Sequence, residues 1–168
     1  MRPHAPSRTP AAGVYHRLHA RFLRLAGGGA EAAQEAALTM LLRPGLRMLD
    51  AGCGPASVAR RLLALESGLE LTLLDKDPRM LAQCRDLNTM QVPASLTELP
   101  LPDRSFDLAF AFWSVETLTD PAVGLREVVR VIRPGSRIAV TFCALPRDRL
   151  ARSLPPDRHQ PPQVRSDA

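Results

Sequence analysis

A glycine-rich turn at Gly52 and Gly54 constrains the fold of this 168-residue chain more than any other part of its sequence. The turn lies between an apolar run at residues 46–49, which predicts a short strand, and a helical pattern over residues 56–65. Glycine has no Cβ and tolerates positive φ, so the backbone of such a turn can approach a ligand closely. The start of the following helix adds unpaired N–H donors. This pattern predicts a ligand-binding strand–turn–helix unit.

Apolar runs and helical patterns alternate along the rest of the chain. Further strands are predicted at residues 69–74, 90–92, 108–112 and 136–143, and helices are predicted to begin at Pro78 and Pro121. The third strand is expected to be short because few residues separate Pro78 from Pro93. Such alternation predicts an α/β fold with a doubly wound, mostly parallel, Rossmann-like sheet of about five strands.

One domain is predicted over residues 14–145. It consists of N-terminal helices over residues 14–43 and a ligand-binding core over residues 46–143. Residues 1–13 contain three prolines without periodicity, and residues 146–168 are rich in proline and arginine. Because neither segment can repay the entropy of ordering by burial, both are predicted to be disordered.

The composition excludes several classes of protein. No apolar run approaches the roughly 20 residues of a membrane span, and the N-terminus has no apolar signal core, so a cytoplasmic location is predicted. The three cysteines form no CxxC pair, and neither a disulfide framework nor a metal site is expected. The net charge of +5 comes from residues 1–25 and 146–168, and residues 26–145 are mildly acidic. A nucleic-acid-binding protein would more often carry its charge on a folded face beside aromatic residues. No nucleic-acid partner is therefore predicted.

Three motifs carry a family resemblance. The turn reads Leu49-Asp50-Ala51-Gly52-Cys53-Gly54, Asp75 ends the next apolar run, and residues 125–142 read LREVVRVIRPGSRIAVTF. In these motifs the chain resembles the class I, seven-β-strand S-adenosylmethionine-dependent methyltransferases. It is most similar to their small-molecule branch, methyltransferase type 11, which includes enzymes of ubiquinone and menaquinone biosynthesis. The resemblance runs from about residue 15 to residue 143, and no sixth or seventh strand is recognised after it.

A nicotinamide oxidoreductase would use a similar glycine turn. However, Ser57 stands where the dinucleotide fingerprint has its third glycine. In addition, the carboxylate of Asp50 would repel an anionic pyrophosphate, whereas it would attract the cationic amino group of S-adenosylmethionine. Both differences favour S-adenosylmethionine as the cofactor.

The resemblance implies roles for individual residues at the cofactor. Asp50 would orient the amino group of the methionine moiety, and Asp75 would accept both ribose hydroxyls. Asp77 is expected to cap the helix that begins at Pro78, which leaves Asp75 for the ligand. Ser95 stands where the family often has an acid that accepts the adenine amino group, and the Leu96 backbone would donate to the ring. The remaining cofactor residues implied are Ala51, Gly52, Cys53, Gly54, Lys76 and Phe112.

The acceptor side is less constrained by the sequence. Tyr15 and His19 lie on a basic amphipathic helix predicted over residues 14–25, which would form a lid over the acceptor or contact a membrane surface; the lid is favoured. Trp113 is interpreted as part of an acceptor pocket, as a cation–π partner of the sulfonium, or as a core aromatic residue. Glu116 is a candidate general base, although a solvated carboxylate is the favoured interpretation. No catalytic residue is assigned, because methyl transfer needs a base only when the acceptor must lose a proton.

These observations predict an S-adenosylmethionine-dependent methyltransferase that acts on a small acceptor, apolar or similar to a quinone or lipid. The alternative is a degenerate relative that binds the cofactor or a partner without catalysis. Absence of the sixth and seventh strands would expose an edge beside the fifth strand. Such an edge predicts a homodimer or a partner protein.

Overall fold

The computed structural model describes residues 29–141, and these residues contain five strands and four α-helices. In chain order the elements are α1 (Gly29–Thr39), β1 (Arg47–Ala51), α2 (Ser57–Leu65), β2 (Glu70–Asp75), α3 (Pro78–Leu81), β3 (Met90–Pro93), β4 (Phe106–Phe112), α4 (Pro121–Val131) and β5 (Ile132–Thr141). Two short 3-10 helices, Ala82–Cys84 and Val115–Thr117, follow α3 and β4.

All strand pairs in the sheet are parallel, and the strand order is β3-β2-β1-β4-β5. The predicted doubly wound, Rossmann-like α/β fold is therefore confirmed. The third strand is as short as expected, with four residues paired to β2 at the edge of the sheet. Strand β1 lies at the centre, between β2 and β4.

The fifth strand differs from its predicted bounds. It begins at Ile132 directly after α4, four residues before the predicted start. Phe106 pairs with Ile132 and Leu108 pairs with Arg137, so residues 133–136 bulge out of the ladder. Pro134-Gly135 is typical of the end of a helix, but here it forms the bulge, in which Gly135 has φ +80°. This is why the sequence placed the start of the strand too late.

The core consists of two apolar layers, one on each face of the sheet. One layer packs α1 and α2 against the strands, through Leu38, Leu62 and Phe110 among others. The other layer packs α4 and the chain that follows β3 against the strands, through Leu96, Val128 and Val131. Because both faces are covered, the central strands are apolar on both sides, as expected for parallel strands.

Arg130 on α4 connects this helix to the segment before β4 through hydrogen bonds and ion pairs. Its guanidinium donates to the carbonyl oxygens of Leu99 (2.8 Å) and Leu101 (2.9 Å), and it pairs with Asp103 (2.6 Å) and Glu127 (2.8 Å). Glu127 also accepts the N–H of Leu99 at 2.9 Å. The hydrogen bonds from Arg130 and Leu99 lower the pKa of Glu127 to about 2.

Some predictions concern residues outside the described range of 29–141. These are the lid residues Tyr15 and His19, the basic helix over residues 14–25, and the disorder expected at residues 1–13 and 146–168. Within the described range, no helix has the length and apolar character needed to cross a membrane. The same residues contain no cluster of histidine, cysteine and acidic side chains that could hold a metal ion.

Candidate functional site

The candidate site lies at the carboxyl ends of the strands, beside β1, where the strand order changes direction. Strand β2 lies on one side of β1 and β4 lies on the other, so the chain winds away from β1 in both directions. In open α/β sheets a crevice forms at such a switch point and holds the ligand. The glycine turn after β1 and the segment after β4 meet at this crevice.

The glycine turn follows β1 and folds over the end of β2. The N–H groups of Gly52 and Cys53 donate to the Leu74 carbonyl at 2.8 and 2.9 Å. Gly52 (φ +86°) and Gly54 (φ +52°) adopt the left-handed conformation. A Cβ at Gly52 would lie 2.4 Å from the Cβ of Ser114, so glycine is required there for space as well as for conformation.

Asp50 is a buried acid without a partner among residues 29–141. It is only 4% exposed, and its carboxylate makes no hydrogen bond or ion pair within this part of the chain. Burial, and then the nearby charge of Asp75, raise its pKa well above the ordinary value of an aspartate. An uncompensated buried carboxylate is costly, so its position at the crevice calls for a ligand that brings a cation or donor.

Asp75 ends β2 and is tied to the backbone on both carboxylate oxygens. One oxygen accepts the N–H of Gly54 at 2.9 Å, and the other accepts the N–H of Asp77 at 2.8 Å. Asp77 itself caps α3, because its side chain accepts the N–H of Arg79, as expected from the sequence. A carboxylate has about four lone-pair positions, so Asp75 anchors the glycine turn and retains positions for a ligand.

The residues predicted at the adenine ring follow β3. Ser95 Oγ lies 2.7 Å from Thr97 Oγ1 and accepts the Thr97 N–H at 3.2 Å, so its hydroxyl holds a local turn. Leu96 is buried in the apolar layer on the α4 face. Lys76, which follows Asp75, is exposed. Ser95 and Asp75 lie near one another because Pro93 pairs with Asp75 in the sheet.

The segment after β4 forms the opposite wall of the crevice. Trp113 adopts φ +58°, a conformation that is strained for any residue except glycine and is typical of functional sites. Phe112 is half-buried, and its ring lies 5.2 Å from that of Phe110. Glu116 is exposed, yet neighbouring protein atoms desolvate its carboxyl group and raise its pKa.

The sequence did not indicate two residues that the structure brings to this region. Ser114 is 7% exposed, and its hydroxyl donates to the Ala51 carbonyl at 2.8 Å, which joins the ends of β1 and β4. Gln34 on α1 donates its side-chain N–H to Thr141 Oγ1 at 2.6 Å, at the end of β5. The other amide atom of Gln34, Oε1, is buried without a hydrogen-bond partner in the described chain.

Two buried cysteines flank the glycine turn. Cys53 Sγ lies 3.5 Å and Cys84 Sγ lies 3.8 Å from the same carbonyl oxygen of Gly54. Burial raises the pKa of both thiols, so neither is a thiolate nucleophile near neutral pH. Cys53 therefore contributes volume and backbone N–H groups to the turn rather than thiol chemistry.

The comparison with known families decides the identity of this fold. A family described as a methyltransferase domain matches residues 49–140, which is more than half of the chain. The chain belongs to this methyltransferase domain family. The matched residues include the glycine turn, both acids and the segment after β4, and they end one residue before the last described residue.

Two curated methyltransferases are similar to most of this chain. Malonyl-[acyl-carrier protein] O-methyltransferase of Erwinia billingiae is 35% identical over 134 residues, which are 79% of this chain and 49% of the relative. Demethylmenaquinone methyltransferase of Mycobacterium sp. (strain KMS) is 31% identical over 121 residues, which are 72% of this chain and 52% of the relative. The chain thus spans about half the length of these curated relatives.

A solved S-adenosylmethionine-dependent methyltransferase from Aquifex aeolicus shares the fold. Its TM-score is 0.57 at 22% identity, over 64% of this chain and 62% of that one. Two solved proteins with this fold are described as S-adenosylmethionine-dependent methyltransferases. The residues of this methyltransferase domain fit S-adenosylmethionine: Asp50 is a buried acid that lacks a counter-charge within residues 29–141, and the Cβ position of Gly54 faces open space.

Proposed function

We propose that this chain binds S-adenosylmethionine in the crevice between β1 and β4 and transfers its methyl group to a small acceptor. The buried carboxylate of Asp50, which has no partner within residues 29–141, carries this proposal. The α-amino group of the cofactor would supply the cation that Asp50 lacks. Asp75 would accept the ribose hydroxyls with the lone pairs that the backbone leaves free.

Bound S-adenosylmethionine would supply a methyl group already activated by its sulfonium. The chain then has to hold the acceptor in line with that methyl group and keep water away, and positioning alone can supply several kcal/mol of the barrier. Ser114 would keep the ends of β1 and β4 at a fixed separation through its bond to the Ala51 carbonyl. Ser95, Leu96, Lys76 and Phe112 would complete the cofactor wall.

The acceptor would lie above the ends of β4 and β5, beside Trp113 and Glu116. We propose a small acceptor, apolar or similar to a quinone or lipid, since relatives of this domain are named for methylating demethylmenaquinone and a malonyl group on acyl-carrier protein. Glu116 would remove a proton where the acceptor requires it, because its desolvated carboxyl group has a raised pKa. The expected lid residues Tyr15 and His19 belong to the same proposal, as does a cytoplasmic location.

The test is calorimetric titration of the full chain with S-adenosylmethionine, S-adenosylhomocysteine and NAD. We expect binding of the first two, a loss of affinity of about tenfold or more in Asp50→Asn, and a similar loss in Asp75→Asn. Glu70→Gln is the matched control, since it also removes one carboxylate, from an exposed pair with Arg47 at the opposite end of the strands. Unchanged affinity in Asp50→Asn, or tight binding of NAD alone, would refute the proposed site.

Methyl transfer itself needs a separate measurement. Incubation with methyl-labelled S-adenosylmethionine and a panel of quinols, phenols and acyl thioesters should label one class of acceptor. Binding of the cofactor without labelling of any acceptor would instead support a protein that retained the site and lost the reaction. A homodimer or partner protein at the edge of β5 stays a prediction, which sedimentation of the same sample would test.

A further inference from the structure

A cavity lies at the opposite end of the strands from the proposed cofactor site. It has a volume of about 220 Å³ and opens between the segment that precedes β1, the start of β4 and the bulge of β5. Leu41, Leu46 and Leu108 line its apolar part. Since the length of β1 separates the two sites, they are roughly 16 Å apart at about 3.3 Å per residue. The cavity is therefore distinct from the cofactor crevice.

The charged groups at this cavity are predominantly cationic. Arg43 and Arg137 line it together with a single acid, Asp107. That acid is already satisfied, because one oxygen accepts the Arg47 N–H at 3.0 Å and the other pairs with Arg133.

The single negative charge of Asp107 does not neutralise all the arginines around the cavity. Burial by itself would raise the pKa of Asp107, but the Arg47 N–H and the guanidinium groups of Arg133 and Arg43 hold it below its ordinary value. Within residues 29–141, neither Arg43 nor Arg137 forms an ion pair with a carboxylate.

The bulge of β5 adds a neutral hydroxyl, that of Ser136, to the same wall. Gly135 and Ser136 line the cavity and lie outside the register pairs of β4 and β5. The Ser136 hydroxyl makes no hydrogen bond within the described part of the chain. A Cβ at Gly135 would meet no atom within 4 Å, so the Cβ side of Gly135 faces open space.

From this arrangement we propose that the cavity binds a small phosphate-type anion between Arg43, Arg137 and the bulge at Gly135-Ser136. Guanidinium groups recognise phosphate oxygens through paired N–H donors, and backbone N–H groups with a hydroxyl complete such sites. A volume of about 220 Å³ lies below the range of roughly 300 Å³ and above that is typical of drug-sized ligands. The cavity therefore has room for a phosphate group and is small for a whole nucleotide.

The test uses the full chain with inorganic phosphate as the probe. We expect saturable binding by calorimetry and a higher Tm in phosphate than in chloride at equal ionic strength. The variant Arg43→Gln/Arg137→Gln should lose about tenfold or more in phosphate affinity. The control Arg85→Gln/Arg126→Gln removes the same charge from two exposed arginines that have no ion pair in residues 29–141, and it should change affinity by less than about twofold.

Ser136→Ala keeps every charge and should weaken phosphate binding by a smaller factor, which tests the site even if the double variant folds poorly. Titration with glycerol 3-phosphate distinguishes the two sources of the anion: tighter binding than inorganic phosphate indicates a phosphoryl group on a larger molecule, and weaker binding indicates free phosphate. Equal losses in the two double variants, or no saturable phosphate binding by the unmodified chain, would overturn the proposal. Neither result depends on cofactor binding at the other end of the sheet.

Discussion

Replacing Gly52 by alanine should cost the fold roughly 2–5 kcal/mol. The left-handed conformation at Gly52 (φ +86°) costs an alanine roughly 1–2 kcal/mol. The added Cβ would also lie 2.4 Å from the Cβ of Ser114, and overpacking of this kind costs about 1–3 kcal/mol. Urea denaturation of the full chain measures the sum of the two costs.

A double-mutant cycle separates the clash from the conformational cost. Ser114→Gly removes the clashing Cβ and should by itself cost about 1–2 kcal/mol, because it loses the hydrogen bond to the Ala51 carbonyl and loosens the backbone. Gly52→Ala/Ser114→Gly should therefore be about 1–3 kcal/mol more stable than the sum of the single changes predicts. Gly54→Ala is the matched control, since Gly54 has φ +52° but open space around its Cβ position. Additive single changes, or equal costs at Gly52 and Gly54, would refute the steric argument.

Two further predictions concern pH. The raised pKa of Asp50 means that its ionisation destabilises the fold. The free energy of unfolding of the ligand-free chain should therefore fall as pH rises from about 4 through the pKa of the folded state. The variant Asp50→Asn should not show this decrease. Identical pH profiles in urea denaturation would contradict the burial of that carboxylate. The pKa of Glu127 is lowered to about 2, so its stabilisation, about 1–3 kcal/mol, is complete above about pH 4.5 and lost as pH falls toward 2. Glu127→Gln should remove this acid dependence, and an unchanged acid limb in thermal unfolding would show that the Arg130 pairing contributes little.

The fold could be predicted because its signals are local. Alternating apolar runs, proline at the starts of α3 and α4, and the glycine turn each act within a few residues. The start of β5 could not be predicted, because a proline-glycine pair such as Pro134-Gly135 occurs both at the end of a helix and in a strand bulge. Only pairing with β4 distinguishes the two.

The residues of the candidate site also fall into those that the sequence could predict and those that it could not. Asp50 and Asp75 lie at the carboxyl ends of β1 and β2, and the two glycines follow β1, so the sequence placed all four at one edge of the sheet. Ser114 and Gln34 were missed because their partners, Ala51 and Thr141, are 63 and 107 residues away along the chain. Such contacts depend on the tertiary fold, and no local sequence pattern predicts them.

The buried acid at Asp50, which has no partner within residues 29–141, also affects how stable the protein is in a cell when its ligand is scarce. A chain whose free form contains an uncompensated buried acid gains more from its ligand than a chain whose site is neutral. We expect the unfolded fraction, and with it the rate of proteolysis, to rise when the supply of S-adenosylmethionine falls. The abundance of the protein would then follow the availability of methyl donor, without a dedicated regulator.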